Sequence, residues 1–375
     1  MGSIQALRGT RDILPDEIVY WQQVEAIARD ILGRAAYQEI RTPIFEQTTL
    51  FERGIGEATD IVGKEMYTFR DRGERSLTLR PEGTAGVVRA YIEHGLAAQG
   101  GVQRFWYIGP MFRYERPQAG RQRQFHQLGV EVLGSASPRA DAEAIALAVD
   151  LLKAVGLSDL QLQLNSIGDA SDRAAYRQAL VAYLTPFKDD LDPDSQDRLT
   201  RNPLRILDSK DSRTQEVLQQ APSILDHLNP DSQAGFDQVQ SLLAGLGIPY
   251  VLNSRLVRGL DYYTHTVFEI LSDHLGAQAT VCAGGRYDRL VTELGGPDTA
   301  AVGWAMGLER LTILLQQLKP ALAAGVDFYL VSRGKAAEDQ ALIVAQTLRR
   351  LGFRVDLDLS GSAFGKQDRK STRLN

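Results

Sequence analysis

Val24, Ile27, Ile31, Leu32 and Ala35 recur at steps of three and four, which predicts an amphipathic helix over 15–35. Pro15 suits its first turn, and Asp16 and Glu17 suit the positive end of its dipole. Ile40, Thr42 and Ile44 then alternate around Pro43, predicting a strand that is bent or at an edge. Leu77 and Leu79 predict another short strand, after which Pro81-Glu82-Gly83-Thr84 turns the chain into a helix reaching about His94. Residues 105–115 and 124–133 both read as strands. The loop between them, Arg116 to Arg123, holds Pro117 and Gly120, so the three pieces form a long-looped hairpin. In the second strand Leu128, Val130 and Val132 share one face, and Gln127, Gly129 and Glu131 share the other. One face is apolar and buried. The other carries an amide, a gap and a carboxylate.

A helix over 141–155 follows, with Ala144, Leu147, Ala148, Leu151 and Leu152 on its apolar side. From about 169 to 232 short helical patterns mix with Asp, Gln, Ser and Pro and strand signals vanish, which reads as a helical insertion. Strands return at 249–253, 266–271, 278–282 and 301–306, and a helix begins near Gly307. The fold class is therefore α/β (α+β), an antiparallel sheet core flanked by helices over 1–320. After Pro320, a strand from Val326 to Ser332, a helix over 337–351 and a strand over 353–359 make one βαβ unit, 326–367. One helix and two strands cannot cover both faces of a parallel sheet, so this unit is expected to be partial. Residues 368–375 show no apolar pattern, and their back-translation resembles a common sequencing-adapter read, so they are expected to be a non-native tail. Sequencing the source gene across this junction checks that; a native stop codon directly after Asn375 refutes it.

Composition changes little in this picture. Hydrophobic residues are 43% and charged residues 24%, ordinary for a soluble globular chain of 375 residues. No stretch approaches the roughly 18 apolar residues of a membrane span, and Met1 to Gly9 has no secretory h-region. The single cysteine, Cys282, permits no internal disulfide and fits a reducing cytoplasm. Histidines 94, 126, 227, 265 and 274 show no zinc spacing, so no metal site built from protein side chains alone is expected. The net charge of −5 argues weakly against a nucleic-acid partner. But net charge describes solubility rather than a local surface, and Arg113 to Arg123 holds four arginines (113, 116, 121, 123) against Glu115 alone. Such a cluster is commonly a solvated face; here it adjoins the polar face of the hairpin.

Four segments carry candidate chemistry. Arg113, Glu115, Gln127 and Glu131 on the hairpin could hold an anionic ligand together with an amine; a structural salt-bridge network would use the same residues. Arg258-Gly259-Leu260-Asp261-Tyr262-Tyr263 gathers a cation, a flexible residue, an acid and two tyrosines that could equally be core. Ala283-Gly284-Gly285-Arg286-Tyr287-Asp288 reads as a glycine turn that lets backbone approach a ligand. Gly303-Trp304-Ala305-Met306-Gly307-Leu308-Glu309-Arg310 is a glycine-rich strand entering a helix with Arg310 in its first turn, a phosphate-favouring end. There is no P-loop and no Rossmann fingerprint, so a nucleotide would have to be held by arginines on strands.

These segments carry a resemblance. Phe112 to Pro117 with Gly120 to Gln127 resembles motif 2 of the class II aminoacyl-tRNA synthetases in its histidyl form. Arg258 to Tyr263 and Ala283 to Asp288 resemble the two histidine-specific motifs of the histidyl-tRNA synthetase family, Gly303 to Arg310 its motif 3, and the bent Pro43 segment its motif 1, the dimer contact. Thr78 to Thr84 is also family-like, and the likeness spans roughly 4–367. It implies ATP-dependent activation of L-histidine and transfer to the terminal ribose of tRNA(His), with Mg²⁺ on the pyrophosphate side and a cytoplasmic homodimer. It implies that Arg113 and Arg258 face the α-phosphate from opposite sides and Arg310 the γ-phosphate. Glu115 would meet the adenine edge and Phe125 stack on its ring. Glu82, Thr84 and Gln127 would bind the amino group of histidine, with Gly83 beside them; Glu131 and Tyr263 would meet the imidazole, with Tyr262 lining the pocket. Arg116, Arg121 and Arg123 would face the tRNA acceptor end, the insertion would embrace its stem, and 326–367 would be part of an anticodon-binding domain. The rival reading is the non-catalytic regulatory subunit of ATP phosphoribosyltransferase, a paralogue that tends to lose the catalytic arginines; all three are present here. A different class II synthetase, such as a prolyl or threonyl enzyme, is disfavoured by the Arg258 to Tyr263 segment.

Overall fold

The computed structural model describes residues 4–56, 59–118, 120–272, 280–318 and 325–373. Pro320, residues 278 and 279 at the start of one expected strand, and 374–375 of the expected tail lie outside them. Two compact units are present, one built chiefly on residues 20–319 and a smaller C-terminal one.

Helix α1 (Pro15–Arg34) forms as the periodicity predicts, with Trp21, Val24, Ala28 and Leu32 buried along one stripe. Strands β1 (Gln38–Glu39) and β2 (Phe45–Gln47) follow, and the single strand expected through Ile40, Thr42 and Ile44 does not form. The Arg80 guanidinium accounts for the gap. It donates to the carbonyls of Thr42 (3.0 Å) and Pro43 (3.4 Å), so a side chain takes acceptors that a ladder would need, and Pro43 has no N–H to offer. Helix α2 (Thr48–Ile55) leads to β3 (Tyr67–Arg70) and β4 (Ser76–Leu79), which join β2 in a small antiparallel sheet ordered β2-β4-β3.

After α3 (Thr84–Glu93) comes the predicted hairpin, β5 (Gln103–Phe112) and β6 (Gln124–Leu133). Strand β5 stops at Phe112, short of the expected 115, so Arg113 lies one residue past it, though its N–H still bonds Arg123 O at 2.9 Å. Helix α4 (Pro138–Val155) is capped by the Ser137 side chain and closed by Gly156 at φ 107°. Strand β7 (Leu160–Ser166) precedes the helical insertion, which is built from α5 (Ala170–Leu184), α6 (Pro193–Arg201), α7 (Ser212–Leu218) and α8 (Pro230–Gly245) and so runs past the expected end near 232. The scattered polar residues of this stretch are its punctuation: Asp169, Asp192, Asp211 and Asn229 each cap one of the four helices by accepting backbone N–H groups. The Ser171 hydroxyl, with the backbone bonds, pulls the Asp169 carboxyl down to about 2; at Asp192 burial opposes the shift, and the Ser195 and Ser209 hydroxyls with the Ser195 N–H outweigh it to reach about 2 as well.

Strands β8 (Tyr250–Leu252), β9 (Thr264–Ser272), β10 (Thr280–Arg286) and β11 (Ala301–Gly307) complete the sheet, with α9 (Leu290–Glu293) between the last two and α10 (Leu308–Leu318) after them. The eight strands are ordered β1-β5-β6-β11-β10-β9-β7-β8. The pairings from β5 to β7 are all antiparallel; only the edge strands β1 and β8 pair in parallel. The segment expected as a glycine turn, residues 283–286, is instead the end of β10. Its glycines serve close strand packing: a Cβ at Gly284 would fall 2.2 Å from Gly303 O, and one at Gly285 2.5 Å from Thr266 O. The smaller unit pairs β12 (Phe328–Leu330) in parallel with β13 (Val355–Leu357) across α11 (Lys335–Arg350), over a core of Ala345, Val355 and Leu357. Helix α12 (Phe364–Arg373) follows, and its buried Gln367 amide bonds both backbone groups of Ser332.

On one face of the large sheet, Leu128, Val130, Val132 and Trp304 are buried, and Trp304 Nε1 donates to Ala144 O of α4 at 2.8 Å. The most buried ion pair lies on this side. Arg286 of β10 donates to the Asp141 carboxylate of α4, and to Ser135 O and Asp288. Its guanidinium is held charged despite burial because Asp141 and Asp288 face it. Asp141→Ala should cost about 3 kcal/mol in denaturant unfolding, since it leaves a buried cation with only Asp288 and backbone carbonyls to face it; a change within ordinary surface-mutation range would mean the pair is solvated.

Candidate active site

The other face of the sheet has a row of small residues across its centre. The register places Tyr107, Gly129, Ala305, Ala283 and Glu269 side by side on β5, β6, β11, β10 and β9. Ala305 and Ala283 leave space above the middle, the Tyr107 ring lies over Gly129 at one end, and Glu269 stands at the other. The result is a cavity of about 310 Å³. Its lining includes Arg113, Arg258 and Arg310 together with Glu82, Thr84, Gln127, Tyr262 and Tyr263, so segments far apart in the chain converge.

The floor at the β5 end is a knot of hydroxyls and carboxyls. Glu82 is buried and accepts the N–H groups of Thr84 (2.6 Å) and Ala85 (2.8 Å), capping α3. Gly83 has no side chain because the Tyr107 ring occupies its place, 2.3 Å from where a Cβ would be. Thr84 Oγ1 donates to Glu131 at 2.7 Å, and Tyr287 OH donates to the other Glu131 oxygen. Gly303 makes room for this: a Cβ there would sit 2.0 Å from Glu131 Oε2. Burial pushes the Glu131 carboxyl up to about 8 against the hydroxyl bonds that hold it down. Burial likewise raises the carboxyl of Glu82 and the phenols of Tyr107, Tyr262, Tyr263 and Tyr287. The rings of Tyr262 and Tyr263 lie 4.6 Å apart. Gln127 Oε1 is buried with no hydrogen-bond partner among the described residues, as is Arg258 Nε. Buried polar atoms left open in a cavity are sites for a ligand's polar groups.

Each arginine has a protein partner. Arg113 Nε donates to Pro81 O at 2.8 Å, and its guanidinium lies 5.3 Å from the Phe125 ring. Arg258 pairs with Glu269; burial works against its charge, and Glu269 and Tyr263 sustain it. Arg310, in the first turn of α10, donates to Thr280 O at 2.6 Å. Burial and the nearby Arg121 push its guanidinium down. Glu115 sits between Arg113 (3.8 Å) and Arg121 (3.5 Å). The hairpin loop reaches over the cavity, with Gly120 close enough that a Cβ would touch Arg310 Cγ at 3.0 Å. Glu309, which also lines the cavity, accepts the His126 N–H at 2.9 Å and bonds its ring Nδ1 at 3.0 Å, which fastens α10 to the hairpin.

The three loop arginines differ. Arg116 and Arg121 are exposed. Arg123 is half-buried; its guanidinium lies 3.7 Å from the Tyr114 ring, and its stem packs where a side chain at Gly9 would be. Its geometry favours bracing the loop. Of the second histidine-like segment, Arg286 and Asp288 are structural and Tyr287 belongs to the site. Sequence reasoning assigned no role to Tyr107, Glu269 and Tyr287. Tyr287 stood inside a segment already singled out, and Tyr107 in the strand opposite Gly129; only the register shows what either touches.

A family description, histidyl-tRNA synthetase, matches residues 9–311. The histidine–tRNA ligase of Cyanothece sp. is 74% identical over 373 residues, covering 100% of this chain and 87% of that protein. The ligase of Synechococcus elongatus is 73% identical, with 100% and 86% covered. Apo histidyl-tRNA synthetase from S. aureus superposes with a TM-score of 0.82 at 39% identity, covering 99% of this chain and 89% of that one. A Bacillus halodurans structure described as an ATP phosphoribosyltransferase regulatory subunit/histidyl-tRNA synthetase shares the fold at TM-score 0.72 and 23% identity, covering 100% of this chain and 97% of that one. The fold is that of the class II aminoacyl-tRNA synthetases. Within that class, the chain belongs to the histidyl-tRNA synthetase family.

The raised Glu131 carboxyl has a thermodynamic sign. Between the usual 4.5 and about 8 the folded chain keeps a proton that the unfolded chain loses. Stability is unaffected by this group below that window and declines as pH rises through it. Glu131→Gln should flatten the fall of Tm between pH 5 and 8; parallel Tm-versus-pH curves would show that Glu131 is ionised throughout.

Proposed function

We infer that the chain is a histidine–tRNA ligase: with ATP it converts L-histidine to histidyl-adenylate, then passes the histidyl group to the 3′-terminal ribose of tRNA(His). The observation that carries this reading is the convergence of Arg113, Arg258 and Arg310 on one cavity beside a well of carboxyls and phenols. A histidine carboxylate oxygen attacks the α-phosphorus of ATP as the bond to the β-phosphate oxygen breaks, and pyrophosphate leaves. Arg113 and Arg258 neutralise the charge that builds on the α-phosphate, and Arg310 holds the γ-phosphate. Phe125 stacks on adenine and Glu115 meets its edge. Gln127, whose Oε1 is open, takes the histidine ammonium with Thr84 and the neighbouring Glu82 and Gly83.

Glu131 and Tyr263 read the imidazole, and Tyr262 shapes the wall. Ring recognition replaces bonds that Glu131 now makes to Thr84 and Tyr287. An amino acid without two ring nitrogens leaves that exchange uncompensated. Among the described residues no group of three or more His, Cys, Asp or Glu could hold a metal. Mg²⁺ would accompany ATP on its pyrophosphate side and neutralise charge there. Arg116 and Arg121 reach toward the tRNA acceptor end, and the helical insertion between β7 and β8 embraces its stem. Residues 326–367 serve as part of an anticodon-binding domain.

A second copy of the chain pairs through the segment around Pro43, where Ile44, Phe45 and Phe69 are exposed. No described helix is long and apolar enough to cross a membrane, and the lone buried Cys282 suits the cytoplasm. The regulatory paralogue has no use for the full set of arginines.

Histidine-dependent ATP–pyrophosphate exchange tests the reading: exchange with histidine alone supports it, and none with any amino acid favours the regulatory protein. Arg258→Ala should lower exchange by ~100-fold or more with an unchanged far-UV spectrum, since a charge useful in the transition state is lost. Unaltered exchange would remove Arg258 from the chemistry.

A further inference from the structure

The segment that carries Arg258, Tyr262 and Tyr263 has no helix or strand of its own between β8 and β9. Its conformation is fixed from outside, and three of the fixing groups belong to the helical insertion. Arg205 Nη1 donates to the carbonyl of Arg258 itself at 3.0 Å. Arg173, on α5, donates to the carbonyl of Tyr263 at 2.7 Å. Asn202 Nδ2 donates to Asp261 at 3.2 Å. Arg205 also approaches Asp60 at 4.0 Å, and Arg198 approaches the same carboxylate at 3.5 Å, so the insertion is moored to the segment after α2 as well.

The packing agrees with the polar contacts. Tyr262, Tyr263 and Tyr287 of the pocket lie in one continuous buried cluster with Leu180, Leu199 and Ile206 of the insertion. No seam divides the insertion's core from the walls of the ligand well.

We propose that Arg205 and Arg173 are positioning residues for adenylate formation, so that the helical insertion is a working part of the first half-reaction in the absence of tRNA. A guanidinium serves a developing phosphate charge only when its placement is right to a fraction of an ångström. Gly259, directly after Arg258, gives the segment little stiffness of its own. A cation donating to the Arg258 carbonyl supplies the restraint that secondary structure does not. Arg173 does the same for Tyr263, on the side of the segment that faces histidine. The two anchors therefore act on different kinetic terms: Arg205 on the rate of the chemical step, Arg173 on the affinity for histidine.

This rests on the roles given above to Arg258 and Tyr263, and the full chain tests the two ideas separately through histidine-dependent ATP–pyrophosphate exchange. Absence of exchange in the unsubstituted protein overturns those roles and this inference with them. Given exchange, Arg205→Met should lower kcat ~10–100-fold, the loss a misplacement of about 1 Å produces, with KM for ATP and Tm little changed. Arg205→Lys should recover part of the rate. Arg205→Met introduced into Arg258→Ala should cause little further loss, because the restraint then has nothing left to position. Full activity of Arg205→Met overturns the inference, and so does a loss that adds in full to that of Arg258→Ala. Should Arg205→Met fail to fold, Arg173→Met decides: a histidine KM raised several-fold at near-normal kcat supports the inference, and an unchanged KM refutes it.

Discussion

Cations gathered in one partly desolvated cavity repel one another, and burial penalises each of them. The site exists only because every guanidinium has been given an acceptor that does not fill the cavity. For Arg113 it is the carbonyl of Pro81, for Arg310 the carbonyl of Thr280, and for Arg258 the carboxylate of Glu269. Two of the three are backbone groups, which neutralise only partially and so leave positive potential to be used. Arg121 lies close enough to Arg310 to oppose its charge, and Glu115 between Arg113 and Arg121 offsets part of that strain. The rest of the architecture follows from keeping these acceptors where they are. Pro81 sits at the mouth of α3, Thr280 at the start of β10, and Glu269 at the end of the row of small residues.

The sequence announced this arrangement unevenly. Local signals were strong where one element could be read by itself. The alternation in 124–133 separated Gln127, Gly129 and Glu131 from Leu128, Val130 and Val132, and the structure keeps that division. The Asp and Asn caps of the insertion were visible as polar texture, although their meaning as helix starts was not. What failed depended on distant partners. The strand expected through Ile40, Thr42 and Ile44 is lost to Arg80, some forty residues on, whose side chain takes the carbonyls. The supposed glycine turn at 283–286 is a strand because its neighbours press too close for side chains. Neither cause can be seen within a window of ten residues.

The same limit explains the site residues that went unassigned. Glu269 and Tyr107 have no motif character of their own, and Tyr287, though inside a motif-like segment, had no role assigned within it. Their roles come from what stands across the sheet or at the far end of a hydrogen bond. The resemblance to a known family supplied the arginines, because such motifs are stored in sequence; it did not supply the supports behind them. Those supports extend into the insertion, whose apolar residues and donors are continuous with the walls of the pocket.

Tyr107 sets a dimension. Its ring lies across Gly129 and against Gly83, so close to both that a single methyl group at either position would collide with it. At this end the wall of the well is the Tyr107 ring, seated where side chains on Gly83 and Gly129 would otherwise be. A ring held against two positions without side chains gives a firm wall against which one small amino acid can be told from its larger or smaller rivals.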